Sequence, residues 1–241
     1  MCEKCGRDVP RVFALSRRSL LIGTSAVLVS GLAQAKETRA PPKPQNVVSP
    51  EAALERLTQG NARYVEGVAR RHDFKHEREA LASGQNPYAA ILSCADSRIA
   101  PEYAFDSGRG DLFVCRVAGN FANEESVASL EYAVSVLATP LILVLGHEAC
   151  GAVDAAIKSL KDNTTLPGHL PSLVAGIAPA VKAVSDQGGD VLGNAIKQNV
   201  VDTVARLKST APILSAAVEQ GKLKTVGAIY RLRTGKVEMV A

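Results

Sequence analysis

Apolar and polar residues fall into blocks along this 241-residue chain, and the blocks change period. Tyr88–Cys94, Asp111–Val117 and Pro140–Gly146 are short runs, the last apolar at nearly every position. Runs of that kind suit parallel strands covered on both faces. Between and after them the spacing becomes helical. Asn123 predicts a cap for a helix through Ala138, with Val127, Leu130, Val134 and Leu137 as its apolar stripe. Asp190–Leu207 reads as a helix with Ile196, Val200, Val204 and Leu207 on one side. Ser49-Pro50-Glu51 is a helix start, with a capping hydroxyl, a proline in the first turn and an acid behind it. Leu54, Leu57, Tyr64 and Val65 would form that helix's apolar face, with Gly60 as a break. Thr225–Leu232, Thr234-Gly235 and Val237–Val240 read as a closing hairpin. Strands alternating with helices predict an α/β fold, a mostly parallel central β-sheet flanked by helices, in one domain over 49–241.

The first 35 residues follow a different pattern. Arg17 and Arg18 precede the apolar run Leu20–Ala33, and Ala33-Gln34-Ala35 forms an A-x-A site before Lys36. The order of basic, apolar and small residues is that of a cleaved secretory signal, and the arginine pair resembles the Tat type. The run is too short for a spanning helix, which needs roughly 20 residues, so no stable membrane anchor is expected. The expected location is periplasmic or otherwise exported. Residues 36–48, with Pro41, Pro42 and Pro44, predict an extended arm.

Cleavage would change the charge and cysteine counts. Lys4, Arg7, Arg11, Arg17 and Arg18 against Glu3 and Asp8 account for +3 of the chain's formal +4. The 206 residues left would carry +1, which gives no case for an anionic polymer partner. Aromatics are 4% of the chain and Trp is absent, which argues against a nucleic-acid surface built on stacking. Cys2 and Cys5 would leave with the signal, so three of the five cysteines remain.

Two of those three stand at predicted strand ends. Cys94 opens Cys94-Ala95-Asp96-Ser97-Arg98 after the first strand. His147 and Cys150 follow the third in Gly146-His147-Glu148-Ala149-Cys150-Gly151. Ligands of open α/β sheets bind beyond the carboxyl ends of strands. Two thiols and an imidazole suit Zn²⁺, and three protein ligands with an open position mark a catalytic site. A structural zinc with a fourth ligand from Cys115, His169, His72 or His76 is the alternative, as is no metal, with buried cysteines as apolar filler. Cys115 lies mid-strand and reads as core. His72 and His76 could share a helical face for a metal, but the preferred reading of 70–80 is a solvated basic helix. Asp96 could ligate a metal or pair with Arg98 through a bidentate bond.

These motifs, together with Arg116-Val-Ala-Gly-Asn120, Gly60-Asn61-Ala62-Arg63-Tyr64, Glu131-Tyr132-Ala133-Val134 and Val226-Gly227-Ala228-Ile229-Tyr230, resemble the β-class carbonic anhydrases from about residue 50 onward. The resemblance implies one zinc per subunit on Cys94, His147 and Cys150, with Asp96 either on the metal or held off it by Arg98. It implies reversible hydration of CO₂ to bicarbonate and a proton by zinc-bound hydroxide. It also implies that Gln85, Phe113 and Tyr132 contact substrate, as in the plant-like branch, from pockets shared across a homodimer that can pair into tetramers. A bicarbonate-binding inhibitory site that uses Trp is not expected, because the chain has none. COS or CS₂ hydrolysis on the same scaffold, or a non-catalytic exported zinc-binding domain, are the competing functions.

Overall fold

The computed structural model describes residues 46–241. The expected signal over 1–35 and most of the proline-rich arm lie outside the described residues. The elements in chain order are α1 (Pro50–Val65), α2 (Phe74–Ala80), β1 (Ala89–Ser93), α3 (Pro101–Ala104), β2 (Leu112–Arg116), α4 (Glu124–Ser135) and β3 (Leu141–His147). They continue with α5 (Gly151–Lys161), α6 (Leu170–Val184), α7 (Val191–Ser209), α8 (Ile213–Glu219), β4 (Lys224–Tyr230) and β5 (Val237–Met239). The three apolar runs are strands, each within a residue or two of its expected bounds. Among the described residues, no helix is long and apolar enough to cross a membrane.

The sheet runs β2-β1-β3-β4-β5. Its first four strands are parallel, and β5 returns antiparallel to β4 as the expected hairpin. Every residue of β1 and β3 is buried, which explains their unbroken apolarity. Alternate side chains still serve different layers. Ala89, Ile91, Leu141, Leu143 and Leu145 pack toward α1 and α3. Ala90, Leu92, Ile142 and Val144 pack toward α4, α7 and α8. A third cluster, among α5, α6 and α7, takes in Cys94 and Cys150.

Helix signals hold where a cap is written into the sequence. Ser49 accepts from the Ala52 N–H at 3.2 Å, Asn123 from Ser126 at 2.9 Å and Asp190 from Gly193 at 2.9 Å. The apolar stripe of α7 is as expected, with Ile196, Val200, Val204 and Leu207 all buried. The stripe of α1 is not. Its buried face is Ala53, Leu57, Gly60 and Asn61, while Tyr64 and Val65 are exposed. Gly60 does not break the helix. A Cβ there would run into the carbonyl of Phe105, so the glycine permits close approach of α1 to the end of α3. The helix at α4 stops at Ser135, three residues before the expected Ala138.

The strand order reverses between β1 and β3, since β2 lies on one side of β1 and β3 on the other. Crevices form at such switch points, beyond the carboxyl ends of the two strands. Ser93 pairs with Leu145. Cys94 and His147 therefore leave the sheet side by side at the switch point.

Candidate metal centre

Three elements deliver the ligands. Cys94 follows the last residue of β1. His147 is the last residue of β3, and Cys150 caps α5 after a two-residue turn in which Ala149 takes a φ of 50°. The two Sγ atoms and a ring nitrogen of His147 lie within 4.8 Å of one another. Cys94 Sγ and Cys150 Sγ are 3.9 Å apart. All three residues are at least 97% buried.

The surroundings fix how each ligand presents itself. His147 Nδ1 lies 2.8 Å from the Glu148 carbonyl, which can only accept, so Nδ1 carries the proton and Nε2 offers its lone pair. Nε2 is buried without a hydrogen-bond partner. Glu148 is itself tied down, accepting from Arg231 and from the Leu232 N–H. The Gly119 N–H donates to Cys94 Sγ at 3.2 Å. The Cys150 S–H first, with the Gly119 N–H, holds the Cys94 thiol well below its ordinary value against the effect of burial. Cys150, which donates to that thiolate and is buried, is pushed up. Two sulfurs sharing one proton beside an unsatisfied imidazole nitrogen form a donor set that a divalent cation fits in place of that proton. The residues therefore fit zinc.

Beside this triad, Asp96 and Arg98 make the expected bidentate pair. Arg98 Nε donates to Oδ1 at 2.9 Å and Nη2 to Oδ2 at 2.7 Å. The Arg98 backbone N–H adds a third bond to Oδ1, and Nη2 also reaches the Ala149 carbonyl at 3.2 Å. Arg98 first, then its own backbone N–H, hold the Asp96 carboxyl well below the usual carboxylate range. Asp96 Oδ2 stands 3.8 Å from His147 Nε2, close enough to reach a metal if released. Arg116 spans the same turn, donating to the carbonyls of Cys94, Asp96 and Ile99.

Other sequence candidates fall elsewhere. Phe113 and Tyr132 face each other with ring centroids 6.3 Å apart, and Tyr132 is exposed. Phe113 pairs with Ala90, four residues before Cys94, which places it about 13 Å down the sheet from the triad's level. Gln85 is exposed ahead of β1, at the sheet's amino end. One chain does not bring these three to the metal ligands. His72 and His76 share no helix: His72 precedes α2 and meets Glu77, while His76 meets the capping Asp73. Cys115 lies mid-strand but is only half-buried, packed against the α4 side of the core. Among the described residues, neither these groups nor the exposed His169 joins the triad as a fourth ligand. Sequence reasoning missed the supporting roles of Gly119 and Glu148, because spacing carries no sign of a carbonyl or amide that packing brings to a ligand.

The Cys₂His triad at the switch point of a mostly parallel sheet is a donor set of the three-ligand, open-position zinc kind. A carbonic anhydrase family profile matches residues 89–237. Carbonic anhydrase 2 of Mycobacterium tuberculosis is 40% identical over 78% of this chain and 91% of its own. The carbonic anhydrase of Mycolicibacterium smegmatis is 37% identical over 79% and 93%. The solved β-carbonic anhydrase CcaA superposes with a TM-score of 0.59 at 29% identity, covering 78% of this chain and 98% of its own. The chain belongs to the β-carbonic anhydrase family, whose members are zinc-dependent lyases.

Proposed function

We propose that this chain catalyses reversible hydration of CO₂ to bicarbonate and a proton, at one zinc per subunit held by Cys94, His147 and Cys150. The observation that carries the reading is the buried, unpartnered Nε2 of His147 converging with two sulfurs. Bound zinc supplies the Lewis acidity that makes a hydroxide nucleophile available near neutral pH, a property taken from known carbonic anhydrases with three His ligands. This chain's residues do the rest. Glu148 and Gly119 aim the imidazole and one thiolate. Arg98 keeps Asp96 ionised and paired beside the point where the three ligand atoms converge, so that Asp96 would be a hydrogen-bond acceptor next to a bound zinc. Held so far below the usual range, Asp96 is a poor proton acceptor, and the proton leaves by another route.

Gln85, Phe113 and Tyr132 belong to the substrate pocket in this proposal, as in the plant-like branch. Their distance from the triad within one chain favours their acting on a partner subunit's zinc, in a homodimer or a pair of dimers. A structurally similar β-carbonic anhydrase from Sordaria macrospora is tetrameric; at 22% identity it shares the fold. Residues 1–35 are a Tat-type signal in this reading, which would let zinc load onto Cys94 and Cys150 before export to an oxidising compartment. Detection of the shortened form in the periplasmic fraction tests that part.

Turnover of CO₂ and COS by the purified protein tests the activity. CO₂ hydration faster than COS hydrolysis by orders of magnitude is expected. Preferred turnover of COS or CS₂ would assign the other linear substrate, and no turnover of any by zinc-loaded protein would leave a metal-binding domain.

A further inference from the structure

Asn199 lies on α7, eighty residues from Gly119, yet its side chain is built into the support of Cys94. It is 3% exposed, and its Nδ2 donates to the Gly119 carbonyl at 2.8 Å. Gly119 is the residue whose N–H donates to Cys94 Sγ. The turn around Gly119 is closed by the Asn120 N–H on the Val117 carbonyl at 2.9 Å, with Gly119 at its third position and a φ of +84°. That is the type II requirement, met by glycine because it has no Cβ. The same freedom leaves the glycine's two peptide planes free to swivel unless something outside the turn holds them. Ile177 Cδ1 packs 2.5 Å from where a Cβ at Gly119 would lie, so the position admits only glycine.

The reach of Asn199 has a structural cause. Val200, the next residue, sits where β3 and β4 are bare: a Cβ at Gly146 or Gly227 would come within 2.7 Å or 2.6 Å of its methyl groups. Two strand glycines thus let α7 lie close on the sheet, and that closeness carries the Asn199 amide to the Gly119 carbonyl.

We propose that Asn199 is a positioning residue for the metal centre: by anchoring the Gly119 carbonyl it keeps the Gly119 N–H aimed at Cys94 Sγ. An N–H bond to a thiolate withdraws charge from the sulfur and restrains its direction. Groups that orient a ligand in this way typically change metal affinity or activity about ten- to a hundredfold when removed. The proposal rests on the zinc reading of the triad.

The test replaces zinc with Co²⁺ in wild type, Asn199→Leu and Asn199→Ala. Thr203→Val, which alters a buried polar residue one turn along α7, is the folding control. Wild type and Thr203→Val should share one thiolate-to-cobalt charge-transfer band and one affinity. The Asn199 variants should move the band to lower energy and hold metal about tenfold or more weakly. A lowered melting temperature with band and affinity unmoved would overturn the proposal, leaving Asn199 a packing residue. Wild type that binds neither Co²⁺ nor Zn²⁺ would instead overturn the zinc reading. If neither Asn199 variant folds, ¹¹³Cd-loaded wild type decides. A scalar coupling between cadmium and the Gly119 amide proton supports the aimed N–H···S bond, and its absence overturns it.

Discussion

Two buried polar clusters sit at opposite ends of the sheet, and they are finished differently. At the amino end, Asn46 donates to the Asn86 carbonyl and to Asp111 Oδ1, at 2.6 and 3.1 Å. Arg56 donates to Asn46 and to Asp111 while its guanidinium lies 4.1 Å from the centre of the Tyr88 ring. The Gly108 N–H takes the other oxygen of Asp111. These groups answer one another, so the cluster joins the chain before α1 to the start of β2 and asks for nothing more. At the carboxyl end, two sulfurs and Nε2 of His147 point at one place and leave a nitrogen unanswered. An unpaired atom alone would teach little, since the Thr139 and Thr225 hydroxyls are also unpartnered. Convergence of three metal-binding atoms is what separates a site from a structural cluster.

That contrast breaks most severely at the ligands. His147→Ala or Cys150→Ser should release zinc and drop CO₂ hydration to background while the helical circular dichroism stays; full activity in either would refute the assignment. Arg98→Ala should keep zinc but lower turnover by about a hundredfold, as Asp96 swings to the metal. X-ray absorption would show an added carboxylate oxygen, and an unchanged water-ligated zinc would contradict it. Asp111→Ala at the other end should do the reverse. Removing one partner of a half-buried charged cluster should cost about 2–4 kcal/mol in urea unfolding, with activity per folded molecule unchanged.

The smallest effect concerns acid. Asp106 is opposed by burial but, held by Arg63 at 2.5 Å and by the Arg70 backbone N–H, sits below its ordinary value. Because the folded pKa is the lower one, its contribution is whole above the unfolded value near 4 and fades as pH falls through the folded value. Asp106→Asn should therefore flatten the loss of stability below pH 4 and leave the metal centre's activity at neutral pH alone.

The two ends also differ in how legible they were. Metal ligands must converge from short, ordered motifs, so Cys94-x-Asp96-x-Arg98 and His147-x-x-Cys150 could be read as spacing. Continuous apolarity marked β1 and β3 because both faces are covered. The helix α6 was not predicted, and its Pro171, Gly176 and Pro179 are residues of low helix propensity. In the fold Pro171 lies in the first turn and Pro179 is tolerated within the helix, while Gly176 makes room for the Phe121 ring. Gly60 misled because close approach and helix breaking look alike in a sequence. Asn199 and Gly119 meet only through packing, which no local pattern encodes.

The triad is held to carry one catalytic zinc. Zinc content and CO₂ hydration rate, measured on one preparation before chelation, after it and after zinc is returned, test this most directly. About one zinc per chain is expected, with activity lost when the metal leaves and restored when it returns. Undiminished hydration by the metal-free protein, or a full complement of zinc with no hydration, would contradict it.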